Sequence, residues 1–408
     1  MSCQDRADED DAAQSGDRYV TGNAAHGSPH IVALSSVHVA SDRRIYHAQA
    51  CSLARAGFRV TLIARQDVSP AETCGVRIIH LDPPRTRLHR LLGSTGVMRL
   101  ALRARGDLYV LHDPELLPVG MLIKCITRRP VIFDVHEDGR AAIRGRTWLP
   151  AWLRRPASWV YHLLERLTLP WIDALILADA AYARHYQGKR TLTVLNYPAA
   201  SNAALFDTYQ PAPRSRPALV YVGAITCLRG LMEMLELVVR LRPAHPDILL
   251  RLIGPVGEEH ERRRAQRYIQ QHDLGPNLQW TGRVPHTEAH HWVLESDVAL
   301  ALLHPDPNYV NSLPTKMFEY MMMGRPVVVS DFPLWRAIVD QAACGYTVDP
   351  LDAAAVAEAV DRLLGDPALR QRMGATGRQA VLAEYSWERE AERLEALCRE
   401  LLTARPGR

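Results

Sequence analysis

Short apolar runs rich in β-branched residues alternate with longer amphipathic stretches along most of this chain, and that alternation limits the folds open to it. HIVALSS, RVTLIA, DLYVLH, PVIFDVH, DALILA and TLTVLN come before residue 207. ALVYVG, DILLRLIG, LQWTG, DVALALL and PVVVS come after residue 218. Strands that are continuously apolar are buried on both faces, which is the condition of a parallel sheet covered by helices. The pattern breaks once, at DTYQPAPRSRPA, whose three prolines and sparse apolar content read as a linker. A chain of 408 residues also exceeds what one core usually covers, so two domains of roughly 200 residues are expected. The division reads as an acidic disordered tail over 1–28, a first α/β domain over 29–206, the linker 207–218, a second α/β domain over 219–384, and a C-terminal helix and tail over 385–408. That last helix, capped by Ser386, is long enough to leave its own domain and cross back to the first.

Composition removes several classes. Seven cysteines are scattered and never spaced CxxC, which argues against a disulfide framework or a zinc site and suits a reducing cytosol. The acidic start lacks the apolar stretch of a signal peptide, and no uncharged apolar run of about 18 residues predicts a membrane-spanning helix. A cytoplasmic protein is the expectation.

The stretch 308–331, NYVNSLPTKMFEYMMMGRPVVVSD, carries the chemistry. It reads as loop, helix, turn and buried strand, with Ser312 placed to cap, Pro314 at the first helical position, and Gly324 ending a helix from about Thr315 to Met323. Leu313, Met317, Phe318, Met321 and Met322 form an apolar stripe, while Thr315, Lys316 and Glu319 lie off it. A helix N-terminus has unpaired N–H groups and a partial positive charge, and Lys316 in the first turn adds a full one, so the place suits a diphosphate. Glu319, one turn on, suits the vicinal hydroxyls of a ribose; the plainer alternative is a surface Lys316–Glu319 ion pair of about 0.2–0.5 kcal/mol. Gly223, Gly254 and Gly282 each follow a strand, where ligands bind in open α/β sheets.

With these residues assembled, the chain resembles the retaining nucleotide-sugar glycosyltransferases of family 4 over about residues 30 to 402. The resemblance implies the GT-B fold, two Rossmann-like doubly wound domains facing a central cleft, the first binding acceptor and the second donor. SLPTKMFEYMMMGRPVVVSDFP looks like the family's donor segment, in which two glutamates stand eight positions apart. Glu319 matches the second, which contacts the nucleotide ribose. At the first, which contacts the donor sugar, this chain has Asn311, able to donate and accept hydrogen bonds but without charge.

By the same resemblance the backbone of Ser312, Leu313 and Thr315 faces sugar and diphosphate. VGAITCLRGLMEML supplies the glycine turn at Gly223 and one basic residue, Arg229, where the family commonly has two. Arg229 and Lys316 would neutralise the leaving diphosphate. His136 matches the histidine that approaches the donor sugar, and Asp42, Arg43, His112 and Asp113 fall on the acceptor side. The only Asp–x–Asp pattern, Asp8-Glu9-Asp10, lies in the tail, so the expectation is a metal-independent enzyme without cofactor, using a nucleotide-sugar. The resemblance implies retention of anomeric configuration, with a donor phosphate oxygen as base. A sugar-nucleotide epimerase on the same fold and a catalytically silent sugar-binding partner are the alternatives, the second suggested by Asn311.

Two arginine-rich stretches complete the reading. Between Arg85 and Arg105 there are six arginines and no acid, and between Arg140 and Arg166 six more with one acid, Glu165, and three tryptophans. Arginine interleaved with leucine and tryptophan suits an anionic membrane surface, so a glycan or lipid-linked acceptor and a peripheral location on the inner membrane face are expected. The alternative is amphipathic helices whose apolar side lies in the core and whose arginines are merely solvated. No nucleic-acid recognition motif accompanies them.

Overall fold

A computed structural model describes residues 27–66, 74–81, 87–145, 150–209 and 216–404. The expected tail therefore lies outside the described residues except at 27 and 28, as do linker residues 210–215 and parts of both arginine-rich stretches. Contacts divide the chain into two compact units, 1–176 with 395–408, and 177–394.

The first sheet takes β1 (His30–Val39), β2 (Arg59–Arg65), β3 (Arg77–Leu81), β4 (Leu108–Leu111), β5 (Val131–Val135), β6 (Ala174–Leu177) and β7 (Thr191–Thr193), in the order β3-β2-β1-β4-β5-β6-β7. Ile31 to Leu34 of β1 pair in parallel with Val60 to Ile63 of β2 on one side and with Leu108 to Leu111 of β4 on the other. The strand order reverses between β1 and β4, so the ends of those two strands form a crevice.

The second sheet repeats the design with β8 (Ala218–Val222), β9 (Leu249–Ile253), β10 (Leu278–Gly282), β11 (Val298–Ala301), β12 (Val327–Ser330) and β13 (Gly345–Val348), ordered β10-β9-β8-β11-β12-β13. The two-residue period of a strand explains why these runs are apolar throughout. Leu219, Tyr221, Leu250, Val298 and Leu300 pack in one core layer. Val220, Ala299, Ala301, Val327 and Val329 turn to the other, against Met317, Phe318, Met321 and Trp335. The reversal here falls between β8 and β11.

Ala203 and Phe206 join that second layer, although the sequence pattern puts them in the first domain. Their apolar side chains find a core to bury in, which a reading by linker composition does not register. The final helix, Trp387–Thr403, groups with the second unit through Leu394 and with the first from Glu395. In the first unit the Arg399 guanidinium lies over the Phe58 ring at 4.9 Å and donates to the Ala56 carbonyl.

One composition-based expectation is corrected. Cys51 and Cys74 form a disulfide within the first unit. The spacing of 23 residues gives no motif, and Cys51 stands at the start of the Cys51–Arg55 helix.

Candidate functional site

In the second unit the site grows from the end of β8. Gly223 has φ +135°, a left-handed value suited to glycine, and a Cβ there would sit 3.0 Å from Lys316 Nζ. The Thr315–Met322 helix puts Lys316 at that point because Met317, Phe318, Tyr320, Met321 and Met322 are all buried, which fixes its rotation. Tyr320 adds a constraint the periodicity did not reveal: its hydroxyl accepts from Val222 N at 2.7 Å, tying the helix to the strand end. Ser312 is not the cap. Pro314 occupies that position with extended backbone, and the Ser312 carbonyl instead accepts from Trp335 Nε1 at 2.6 Å.

Lys316 Nζ donates to the Tyr221 hydroxyl at 2.7 Å. Burial, followed by the nearby Arg229 charge, holds its ammonium well below 10.5, while Glu319 pulls it back up. Arg229 comes from the short turn Cys227–Arg229 ahead of Gly230, and donates through Nε to the Tyr309 hydroxyl at 3.3 Å. Gly230 is obligatory there, since a Cβ would lie 2.2 Å from the Leu302 carbonyl oxygen. Two cations thus crowd one turn, a costly arrangement for a folded protein that an anion would relieve.

Glu319 lies close enough to feel Lys316, and a carboxylate oxygen of it is within 4.8 Å of ring nitrogens of His286 and His290. These histidines, four apart on the His286–Leu294 helix, were not singled out by sequence; the HTEAHH spacing was the available signal. Asn311 is exposed, donates to the Pro307 carbonyl at 3.3 Å, and lines a small recess with Asp179, Asn196, Tyr197, Leu313 and Phe318.

The first unit holds a separate polar cluster at the ends of β1, β4 and β5, centred on Asp134. This carboxylate is wholly buried and accepts from Arg44 Nε at 3.0 Å, Arg44 Nη2 at 2.8 Å and Gln49 Nε2 at 2.7 Å. His136 Nε2 lies 3.0 Å from it and His112 Nδ1 3.2 Å. Burial opposes its ionisation, but Arg44 and the two histidines outweigh that and keep it well below 3.8. Burial lowers His112 in turn.

Of the acceptor-side residues, Asp42 caps its helix by accepting from Arg44 N and Ile45 N, and also meets His38 Nδ1 at 3.2 Å. Asp113 is buried, accepting from Ser35 Oγ and Ser36 N, with His38 Nε2 at 3.4 Å. Arg43 is exposed, and its neighbour Arg44 reaches the buried Asp134. Sequence reading missed Arg44, Gln49 and His38. The hydrogen bond from His38 to Asp42 raises its ring's pKa against burial, with Asp113 adding to the effect.

Among the described residues, two groups have ligand atoms near enough for a metal ion, His112–Asp134–His136 and His286–His290–Glu319. In the first, the carboxylate is already shared with a guanidinium and an amide, so a cation would have to compete with Arg44.

Known proteins match both halves. The description "Glycosyl transferases group 1" covers residues 208–380, and "Glycosyl transferase 4-like domain" covers 43–192. The chain is similar to the glycogen synthase of Mycobacterium tuberculosis, 26% identical over 70% of this chain and 66% of that protein. It is similar also to the phosphatidyl-myo-inositol mannosyltransferase of Mycobacterium leprae, 23% identical over 69% and 70%. The chain thus spans just under two thirds of the first of these relatives. Among solved structures, sucrose-phosphate synthase from Thermosynechococcus elongatus superposes with TM-score 0.67 at 23% identity, over 93% of this chain and 100% of that one. Anabaena HepE in complex with UDP and glucose gives 0.65 at 13%, over 91% and 100%. These likenesses, with the two parallel sheets, establish the two-domain GT-B fold.

Proposed function

The chain belongs to the group 1 glycosyltransferases, of the family 4 type, and from that premise we infer that it moves a sugar from a nucleotide-sugar donor onto a glycan or lipid-linked saccharide acceptor. The observation that carries this is the pairing of Arg229 and Lys316 at the Gly223 turn, with Glu319 beside them. A departing nucleoside diphosphate brings the negative charge those cations lack, and charge that develops in the transition state is what a preformed cationic site stabilises best. Glu319 takes the ribose hydroxyls, Asn311 and the backbone of Ser312, Leu313 and Thr315 take sugar and phosphate, and Gly223 lets the diphosphate approach the chain. His136, its ring held by Asp134, is the sugar-positioning histidine of this reading.

Transfer proceeds with retention. The acceptor hydroxyl attacks the face the diphosphate leaves and gives its proton to a donor phosphate oxygen, so no protein carboxylate is needed as nucleophile. Neutralisation by Arg229 and Lys316 takes the place of a metal. HepE, solved with UDP and glucose, lends support to a nucleotide-sugar donor.

Thermal-shift titration with a panel of nucleotide sugars tests donor binding, and transfer to glycan and lipid-linked acceptors, with and without chelator, tests the rest. Retention is read from the product's anomeric signal by NMR. Stabilisation by none of the panel overturns the reading. Asn311 motivates a second reading, a sugar-binding partner without turnover, which saturable binding without transfer or hydrolysis would favour. Donor turnover with no acceptor present would instead indicate an epimerase.

A further inference from the structure

The Ala151–Thr168 helix packs with its polar side inward. Ser158, Glu165 and Thr168 are buried, and Tyr161 lies against Gly139 of the Gly139–Gly145 helix, where a Cβ would come within 2.6 Å of the ring. Thr168 Oγ1 donates to the Leu164 carbonyl at 2.8 Å, and Tyr161 donates to Glu165. The opposite side carries Trp152, Trp159, Val160, Leu163 and Leu167, all exposed, with Trp152 at 75% and Trp159 at 64%. At spacings of three, four and seven they form one stripe. Trp171 extends it beyond the helix, and on the Leu117–Thr127 helix, which packs against this one, Leu122 and Ile126 are exposed as well.

A helix that turned this side into the core would gain the hydrophobic stabilisation of every large apolar side chain it buried. The chain forgoes that, and large apolar side chains gathered in the open on one helix face mark a place where something docks. The flanking charge says what. Arg155 and Arg166 are exposed beside the stripe, Arg144 is exposed on the neighbouring helix, and the acid of this stretch, Glu165, is buried. Tryptophan and aliphatic residues facing out, with arginine at the edges and no exposed acid along the helix, is the composition of a helix lying in the headgroup region of an anionic bilayer.

We propose that this face of the first unit, from Trp152 to Trp171 with Leu122 and Ile126, is where the protein lies on an anionic lipid surface. The other arginine-rich stretch differs. In the described part of the Arg87–Ala104 helix, Val97 and Ala101 are buried while Arg99 and Arg103 are exposed, so there the apolar side is in the core and the arginines are solvated. The inference deepens the transferase reading by naming where a lipid-linked acceptor would be met, but its test needs no turnover.

The full chain is floated with vesicles of phosphatidylcholine alone, and of two parts phosphatidylcholine to one of phosphatidylglycerol. Binding is expected to the second, to weaken with salt, and to fall by at least about tenfold in the double variant Trp152→Ser, Trp159→Ser. Arg155→Glu with Arg166→Glu should lose the preference for phosphatidylglycerol. Thermal melting and nucleotide-sugar binding, read on the same samples, should be unchanged in both, since these side chains are exposed. A wild-type chain that stays with the soluble fraction, or one whose oligomers dissociate on the tryptophan substitutions, overturns the proposal, the second by making the face a subunit interface. Loss of nucleotide-sugar binding in the wild type would strike the transferase reading and leave this one standing.

Discussion

The ammonium of Lys316 rests on Tyr221, donating to its hydroxyl at 2.7 Å, while that hydroxyl donates to the Ala224 carbonyl at 2.8 Å. Burial pushes the Tyr221 phenol up to about 12, so the contact holds the lysine in place without neutralising it. Glu319 offsets one of the two positive charges at this turn, and the other is left to a ligand.

That arrangement gives a proton signature. In the unbound chain, burial and Arg229 hold Lys316 well below 10.5, whereas diphosphate oxygens would favour the ammonium. Binding of a nucleoside diphosphate should therefore take up protons, and affinity should fall as pH rises from the depressed value toward 10.5. Folding has the opposite sign: the unfolded chain binds the proton more tightly, so stability without ligand rises with pH across that window. Calorimetric titration in buffers of different ionisation enthalpy reads the uptake, and its absence would remove Lys316 from the diphosphate site. Lys316→Met should raise the melting temperature while weakening the nucleotide at least about tenfold.

Arg229 separates rate from stability. Its guanidinium is partly buried but meets a tyrosine rather than an acid, so its loss leaves no opposite charge stranded. Arg229→Ala should slow transfer by about 10²–10³, the usual cost of one transition-state contact, with a melting shift of only a few degrees. Comparable losses in rate and stability would make it a packing residue.

Much of this was legible from residue order. Runs such as PVVVS and DVALALL became β12 and β11 because parallel strands buried on both faces admit little else, and Gly324 ended the Thr315–Met322 helix as its sequence implied, the residue holding φ +67°. The polar centre of the first unit was not legible. Arg44 and Asp134 stand 90 positions apart and meet because β1 and β5 flank β4 in the sheet, a fact of topology that local pattern does not contain. Nor did the pattern say which side of the Trp152 helix faces in. Periodicity marks a stripe, and only packing assigns it to the inside or the outside.

The disulfide gives a prediction in stability alone. Closing a loop of this length removes unfolded-state freedom equivalent to about 3 kcal/mol, and Cys74 lies at the accessible end of the pair. Dithiothreitol should lower the wild-type melting temperature by roughly 5–10 °C, and Cys74→Ser should melt at the reduced value whether or not the reductant is present. A wild type indifferent to reductant would mean the bond contributes nothing to the fold in solution.

Asp134 offers the sharpest electrostatic test. It is fully buried, and Arg44, itself nearly so, has in it an opposite charge at 2.8 Å. Asp134→Asn keeps the shape but leaves the guanidinium uncompensated, a change that costs about 3–5 kcal/mol when one partner of a buried pair is removed. The folded carboxylate lies well below 3.8, so its contribution is complete above that value and is lost as pH falls through the folded one. The difference between wild type and Asp134→Asn in denaturant midpoint should hence shrink below 3.8. Removing Arg44 together with Asp134, as Arg44→Met with Asp134→Leu, should recover much of the loss, because no charge then remains buried. A double variant no more stable than Asp134→Asn would show that the hydrogen bonds from Gln49 and the two histidines, not the ion pair, hold this part of the first unit together.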